Sequence, residues 1–251
     1  MISVPRIPQV EPNQRLDFGL VNHIIKRTEY AAGLLRQYKC IAGDNIFIEQ
    51  NLDRTRINAG VGNMFIGIAG STGGLRSILA FNSFIVNSAV PVLDAPLGTA
   101  VDFGGGSYRL TNDGQNQVGA VWKTSRINAS SFSASFFYSI GGFSSADGIT
   151  LIFSSSKFLV GTGGGNGYQG GPATSVAIEI DIFLNPEFDP NNSHIAVLSN
   201  GDVTKHLAIS SPTVRPSGTL ACSYSGGKLN ITHNGIRIIS YSIDIPQIVL
   251  A

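Results

Sequence analysis

One stretch of this sequence concentrates groups able to do chemistry: Val176-Ala177-Ile178-Glu179-Ile180-Asp181-Ile182, followed by a loop bearing Phe183, Asn185, Asp189 and His194. On a strand, Glu179 and Asp181 share one face with their carboxylates about 7 Å apart along the chain. Two such charges repel, and a cation removes the conflict. The loop then offers amide and carboxylate oxygens from Asn185 and Asp189, and an imidazole from His194, before the chain resumes as a strand. Oxygen ligands suit Ca²⁺, whereas a neutral imidazole suits a transition ion such as Mn²⁺. Two adjacent ions sharing carboxylates fit this mixture. Spacing alone allows a plainer alternative, an acidic strand face followed by an Asx-rich loop with a surface histidine.

Two other segments carry polar groups in informative settings. Ser145-Ala146-Asp147-Gly148 opens an apolar strand, Ile149 to Phe153, and Asp-Gly by itself is a common turn dipeptide. Gly161-Thr162-Gly163-Gly164-Gly165-Asn166-Gly167 is glycine-rich but lacks the Lys-Ser/Thr and the helix of a phosphate loop. Phosphoryl chemistry is therefore not expected there.

The elements that must position these groups read as strands. Only 13% of the 251 residues are charged and 30 are glycine, with short apolar runs broken by Gly, Ser and Asn, the pattern of an all-β domain with many turns. Phe132-Ser133-Ala134-Ser135-Phe136-Phe137-Tyr138 alternates as a half-buried strand. The formal net charge of +1 provides no basic field for nucleic acid. No apolar run approaches the roughly 20 residues of a membrane span, and no secretory signal is visible at the N-terminus. Cys40 and Cys222 fall in different modules and are expected as free thiols.

The first 60 residues differ in character. Pro5, Pro8 and Pro12 mark an extended arm. Asp17 can cap a helix running to about Tyr38, and Ile46–Glu49 with Thr55–Asn58 read as a hairpin. This segment resembles the small turn-and-strand units of bacteriophage tail and baseplate proteins. The expected division is an attachment or oligomerisation segment over 1–60 and a β domain over 61–251.

The run from Glu179 to His194 resembles the metal-binding strand and loop of legume and bacterial L-type lectins. The resemblance implies an antiparallel concanavalin A-like β-sandwich, or jelly roll. It assigns Glu179 and His194 to a transition ion, Asp181 and Asp189 to bridging positions, and Asn185 with the Phe183 carbonyl to Ca²⁺. It also makes Asp147 the acceptor for two sugar hydroxyls, behind an Ala146–Asp147 peptide expected to be cis. The Gly164 N–H and Asn185 complete the polar contacts, and Phe183 stacks on the sugar's apolar face.

In this family a last pair of strands and a specificity loop follow the segment that here reads Lys228 to Ile245, where the chain is almost at its end. Met64 to Phe84 resembles that missing part, so the domain is expected to be circularly permuted, with this hairpin beside the strand ending near Ile245. The loop after Thr72 then borders the sugar pocket through Gly74 and Leu75. Asn82 stands where the family usually has Trp.

These readings lead to a metal-dependent carbohydrate-binding virion protein, not an enzyme, that contacts host-surface glycans. The partners expected are those glycans, other virion proteins through residues 1–60, and further copies of the chain in a trimer or higher oligomer. Membrane insertion and nucleic-acid binding are not expected. A purely structural decoration module is the alternative function, and a bacterial cell surface the alternative location. A glycoside hydrolase of the same fold is disfavoured, because Leu184 occupies the position where a third strand acid would be needed.

Overall fold

The computed structural model describes residues 62–142, 146–214 and 216–250, together with the backbone of a hairpin formed by β1 (Phe47–Asn51) and β2 (Arg54–Asn58). The chain divides into units Met1–Gly43 and Asp44–Ala251. The expected arm, helix and Cys40 lie outside the described residues. The expected hairpin forms, with Glu49 opposite Arg56.

The remaining strands are β3 (Asn63–Ser71), β4 (Ile78–Val86), β5 (Leu97–Gly98), β6 (Val101–Asp102), β7 (Tyr108–Thr111), β8 (Val118–Trp122), β9 (Ile127–Asn128), β10 (Ser131–Gly141), β11 (Gly148–Ser154), β12 (Ser175–Asp181), β13 (His194–Ser199), β14 (Ala208–Ser210), β15 (Ser217–Ser225), β16 (Lys228–His233) and β17 (Ile236–Ser242). A five-residue helix, α1 (Ile245–Val249), follows them, with Asp244 capping its start through Gln247 N–H at 3.0 Å. A seven-stranded sheet runs β17-β16-β15-β10-β4-β7-β6, and an eight-stranded sheet runs β14-β13-β12-β11-β3-β8-β5 with β9 pairing β3. All the pairings are antiparallel. This is the expected concanavalin A-like sandwich.

Period-2 alternation builds the core. Phe132, Ala134, Phe136, Tyr138 and Ile140 of β10 face inward with Leu220, Cys222 and Tyr224 of β15, against Leu151, Phe153, Val176, Ile178 and Ile180 of the other sheet. Each Val, Leu, Ile or Phe side chain among them, fully buried, contributes about 1.5–3 kcal/mol. Cys222 is a free thiol whose burial pushes its pKa up to about 12.

The eight-stranded sheet is covered on its outer face as well. Ala69, Ala120, Trp122, Ile152, Tyr168, Ala177, Leu198 and Val203 form a second cluster there. Trp122 donates its indole N–H to the Phe158 carbonyl at 3.0 Å, and Tyr168 reaches Ser175 Oγ at 2.9 Å. These contacts hold the 158–168 segment, with its glycines, over the sheet.

The 64–84 hairpin is placed differently from expectation. β3 lies in the middle of the eight-stranded sheet, between β11 and β8, while β4 crosses into the other sheet between β10 and β7. Neither strand neighbours β17, which pairs β16 at the far edge. Leu250, just after α1, packs on Gly62, just before β3. A Cβ on Gly62 would fall 1.8 Å from Leu250 Cδ1, so any larger residue there would displace the Leu250 side chain.

Candidate metal and sugar site

β12 contributes to both faces of its sheet. Val176, Ile178 and Ile180 enter the main core, so Ala177, Glu179 and Asp181 point to the outer face. In β13, Ile195 and Val197 are the inward residues, leaving His194 on the outer face directly opposite Asp181. The sheet register thus brings together groups thirteen positions apart in sequence.

The loop between these strands folds on itself. Phe188 and Asp189 both donate their N–H to the Asn185 carbonyl, at 3.1 and 2.9 Å, and the Asn185 N–H donates to Asp189 Oδ2 at 2.7 Å. Asp189 Oδ1 then lies 3.9 Å from His194 Nε2. Phe183, half-buried, donates its N–H to Asp181 Oδ1 at 2.8 Å. Five of the proposed ligand side chains, those of Glu179, Asp181, Asn185, Asp189 and His194, are thereby organised by one strand pair and its loop.

Two residues overlooked in the sequence join them. Asn166, from the glycine-rich segment, donates to Asp181 Oδ2 at 2.8 Å and to Glu179 Oε2 at 3.3 Å. His206 places Nε2 2.9 Å from Glu179 Oε1 and 3.8 Å from Asp189 Oδ1. Neither is separated from the acidic strand by any helical or strand period. The nearest sequence signal for His206 is Asn200-Gly201, a turn dipeptide that sends the chain back along β13.

Electrostatics make this centre costly without a counter-charge. Burial, then repulsion from Glu179, raises the Asp181 carboxyl to about 8. Burial also raises Asp189. For Glu179, burial would do the same, but His194 and His206 outweigh it and hold the carboxyl low. Burial opposes charge on His194 too, and Glu179 prevails to raise its pKa.

The donor set fits cations. Among the described residues, six of the eight buried side-chain polar atoms without a hydrogen-bond partner lie here: Asp147 Oδ2, Asn166 Oδ1, Glu179 Oε1, Asn185 Oδ1, His194 Nε2 and His206 Nε2. Orphaned buried polar atoms are rare because each costs about 1–3 kcal/mol. Their clustering around three carboxylates and two imidazoles supplies the ligand chemistry of a metal centre. Two overlapping groups can hold an ion: Glu179 with His194 and His206, and Asp181 with Asp189 and His194.

The expected sugar contacts adjoin this centre. The Ala146–Asp147 peptide is cis. Asp147 donates its N–H to the Ser71 carbonyl at 2.9 Å, and its carbonyl accepts from Ile182 N–H at 3.0 Å, so the residue is fixed between the ends of β3 and β12. Its carboxyl is raised to about 6 by burial, partly offset by a hydrogen bond from the Gly73 backbone. A Cβ on Gly73 would meet Gly163 Cα at 3.0 Å and Asp147 Oδ2 at 3.2 Å. One on Gly164 would meet Asn185 Oδ1 at 2.8 Å. Asp147, Gly164 and Asn185 therefore converge. Gly74 and Leu75 are exposed on the adjoining loop, where Gly74 has open space beside it.

The two-sheet sandwich thus carries a carboxylate–imidazole centre on its outer face, next to a buried aspartate and a glycine turn. Residues 83–211, about half of the chain, match the legume-like lectin family. The chain belongs to that family, whose members bind carbohydrate and generally bind metal ions.

Proposed function

We propose that this protein binds glycans through Asp147, the Gly164 N–H and Asn185, with Ca²⁺ and a transition ion such as Mn²⁺ organising the site. The observation that carries this reading is the adjacency of two sets of unpartnered buried groups. One set, at Asp147 and Asn185, faces the glycine turn, and the other, at Glu179, His194 and His206, forms a metal-ready centre. Glu179, Asp181, Asn185, Asp189, His194 and the Phe183 carbonyl would hold the ions. Bound cations supply positive charge that neutralises the carboxylates and fixes the 183–194 loop.

The protein's own groups then recognise sugar. A carboxylate at Asp147 accepts from two hydroxyls at fixed separation, the Gly164 N–H donates to a third polar group, and the half-buried Phe183 offers an apolar surface. Gly74 and Leu75 border the approach and contribute to epimer selection. The role is binding rather than catalysis, since Glu179 and Asp181 are buried and engaged with His206 and Asn166. One monosaccharide held by so few contacts binds in roughly the millimolar range, and useful adhesion comes from multivalent display.

The domain is read as circularly permuted, a reading supported by the packing of Leu250 against Gly62, which would let a short connection join the chain's end to β3. Its setting is a virion, displayed as a trimer or higher oligomer through residues 1–60, with host-surface glycans as ligands. Pro5, Pro8 and Pro12 in the sequence, with the β1–β2 hairpin, support that placement.

A glycan array probed with ion-loaded and chelator-treated protein tests the function. Binding that disappears with chelator and returns with Ca²⁺ and Mn²⁺ is expected. An array without any hit from the loaded protein would leave only the structural decoration role.

A further inference from the structure

We infer that His206 is a direct ligand of the transition ion, giving this chain a two-imidazole site more selective for borderline metals than one built from Glu179, Asp181, Asp189 and His194 alone. The inference rests on the metal-dependent reading above and departs from the ligand set that the family resemblance implies.

Geometry carries it. Glu179 Oε1 lies 2.9 Å from His206 Nε2 and 3.5 Å from His194 Nε2, and Asp189 Oδ1 lies 3.8 and 3.9 Å from the same two nitrogens. Ligands about 2.0–2.2 Å from a common ion stand roughly 3–3.5 Å apart at tetrahedral or octahedral angles. The two Glu179 spacings match that range, and Glu179, His194 and His206 form one group able to hold an ion. The two imidazole rings meet at 83° with centroids 5.2 Å apart, so their nitrogens approach from perpendicular planes.

Ion pairing alone does not explain the arrangement. Although His206 Nε2 is 2.9 Å from Glu179 Oε1, neither atom has a hydrogen-bond partner. The oxygen is therefore off the axis of the ring nitrogen, and the contact leaves both atoms able to accept a further partner. The His194 Nδ1 is 3.1 Å from the Asn191 carbonyl, which can only accept. That bond places the proton on Nδ1 and leaves Nε2 with a lone pair.

The fold holds His206 in place. Thr204 donates its N–H to Asp202 Oδ1 at 2.9 Å, Val203 donates to Gln169 Oε1 at 2.8 Å, and Leu207 donates to the Val197 carbonyl at 2.8 Å. Residues on both sides of His206 are thus tied to the sheet or to the glycine-rich segment. Its side chain is 5% exposed, an unusual position for an imidazole nitrogen without a hydrogen bond.

Two imidazoles and the Glu179 carboxylate form an N₂O set that favours Zn²⁺ or Co²⁺ over Mn²⁺, and over Ca²⁺ still more strongly. The test titrates wild type and His206→Ala with Zn²⁺, Mn²⁺ and Ca²⁺ by calorimetry, and counts coordinated imidazoles by pulsed electron paramagnetic resonance on the Mn²⁺-loaded proteins. In wild type, two imidazole couplings are expected. His206→Ala should show one, lose Zn²⁺ affinity by at least the roughly 10–100-fold that even outer-shell partners cost, lose less for Mn²⁺, and keep Ca²⁺ within a few-fold. One imidazole in wild type, or unchanged Zn²⁺ affinity in the variant, overturns the role of His206 while leaving the metal site standing. Wild type that takes up none of these ions overturns the metal-dependent reading itself. The wild-type imidazole count stands even if the variant does not fold.

Discussion

Gly164 and Asn185 meet across the mouth of the site, so closely that a Cβ on the glycine would lie 2.8 Å from Asn185 Oδ1 and 3.0 Å from its Nδ2. The glycine belongs to a 3-10 turn over Gly163–Gly165, and the asparagine anchors the metal-side loop through its backbone bonds to Phe188 and Asp189. Substituting Gly164→Ala should displace the Asn185 amide, which can swing away without disturbing the core. Sugar affinity is expected to fall at least about tenfold, a change of 1.4 kcal/mol, with the melting temperature nearly unchanged. Calorimetry with a glycan identified on the array and a thermal melt measure both.

Asp147→Asn separates sugar recognition from metal binding. The amide keeps the shape but exchanges one acceptor for a donor, leaving a hydroxyl unpaired and removing charge-assisted bonds. Glycan binding should drop below detection while plasma emission spectrometry still finds the wild-type metal content. Loss of metal together with sugar would place Asp147 in the metal centre instead.

Packing behind the site should matter as well. Trp122 supports the 158–168 segment through its contact with Phe158, at 5.3 Å between ring centroids, and through its indole hydrogen bond. Trp122→Ala should cost about 3–5 kcal/mol and weaken metal binding, because Asn166 reaches Asp181 from the same segment. Denaturant melts in chelator give the first effect, and metal titration of the folded variant gives the second.

The pH dependence of stability should invert with metal loading. Asp147 and Asp181 are raised to about 6 and about 8 from 3.8, so the folded state retains protons that the unfolded chain has released. Stability of the metal-free protein therefore falls as pH rises from about 4 to about 8. His194, raised above 6.5, acts in the same direction, since its contribution is complete below that value and is lost as pH climbs through its folded pKa. The lowered Glu179 contributes oppositely, only as pH falls below 4.5. Ion binding competes with these protons and strengthens with pH. Melting temperatures in chelator should decline across that window, and the gap to the ion-loaded protein should widen.

The sequence made some levels of this structure readable and hid others. Alternation in Phe132–Tyr138 and in Val176–Asp181 identified strands and their inward residues, because a two-residue period is a local property. It also put Glu179 and Asp181 on one face. What alternation cannot convey is which strand pairs with which, so β3 and β4 were expected together beside β17 although they enter different sheets. His206 and Asn166 escaped notice for the same reason, since their approach to Glu179 depends on long-range register. The five-residue α1 is too short for a helical period to register.

The central claim is that ions and sugar share one organised site, and crystals grown with Ca²⁺, Mn²⁺ and a glycan identified on the array test it most directly. Anomalous maps should show two peaks about 4 Å apart, one among Glu179, His194, His206 and Asp189, the other among Asp181, Asn185 and Asp189. Sugar hydroxyls should lie on Asp147 and the Gly164 N–H. Ions elsewhere, ligand side chains turned apart, or sugar bound away from Asp147 in the loaded crystal would contradict the account.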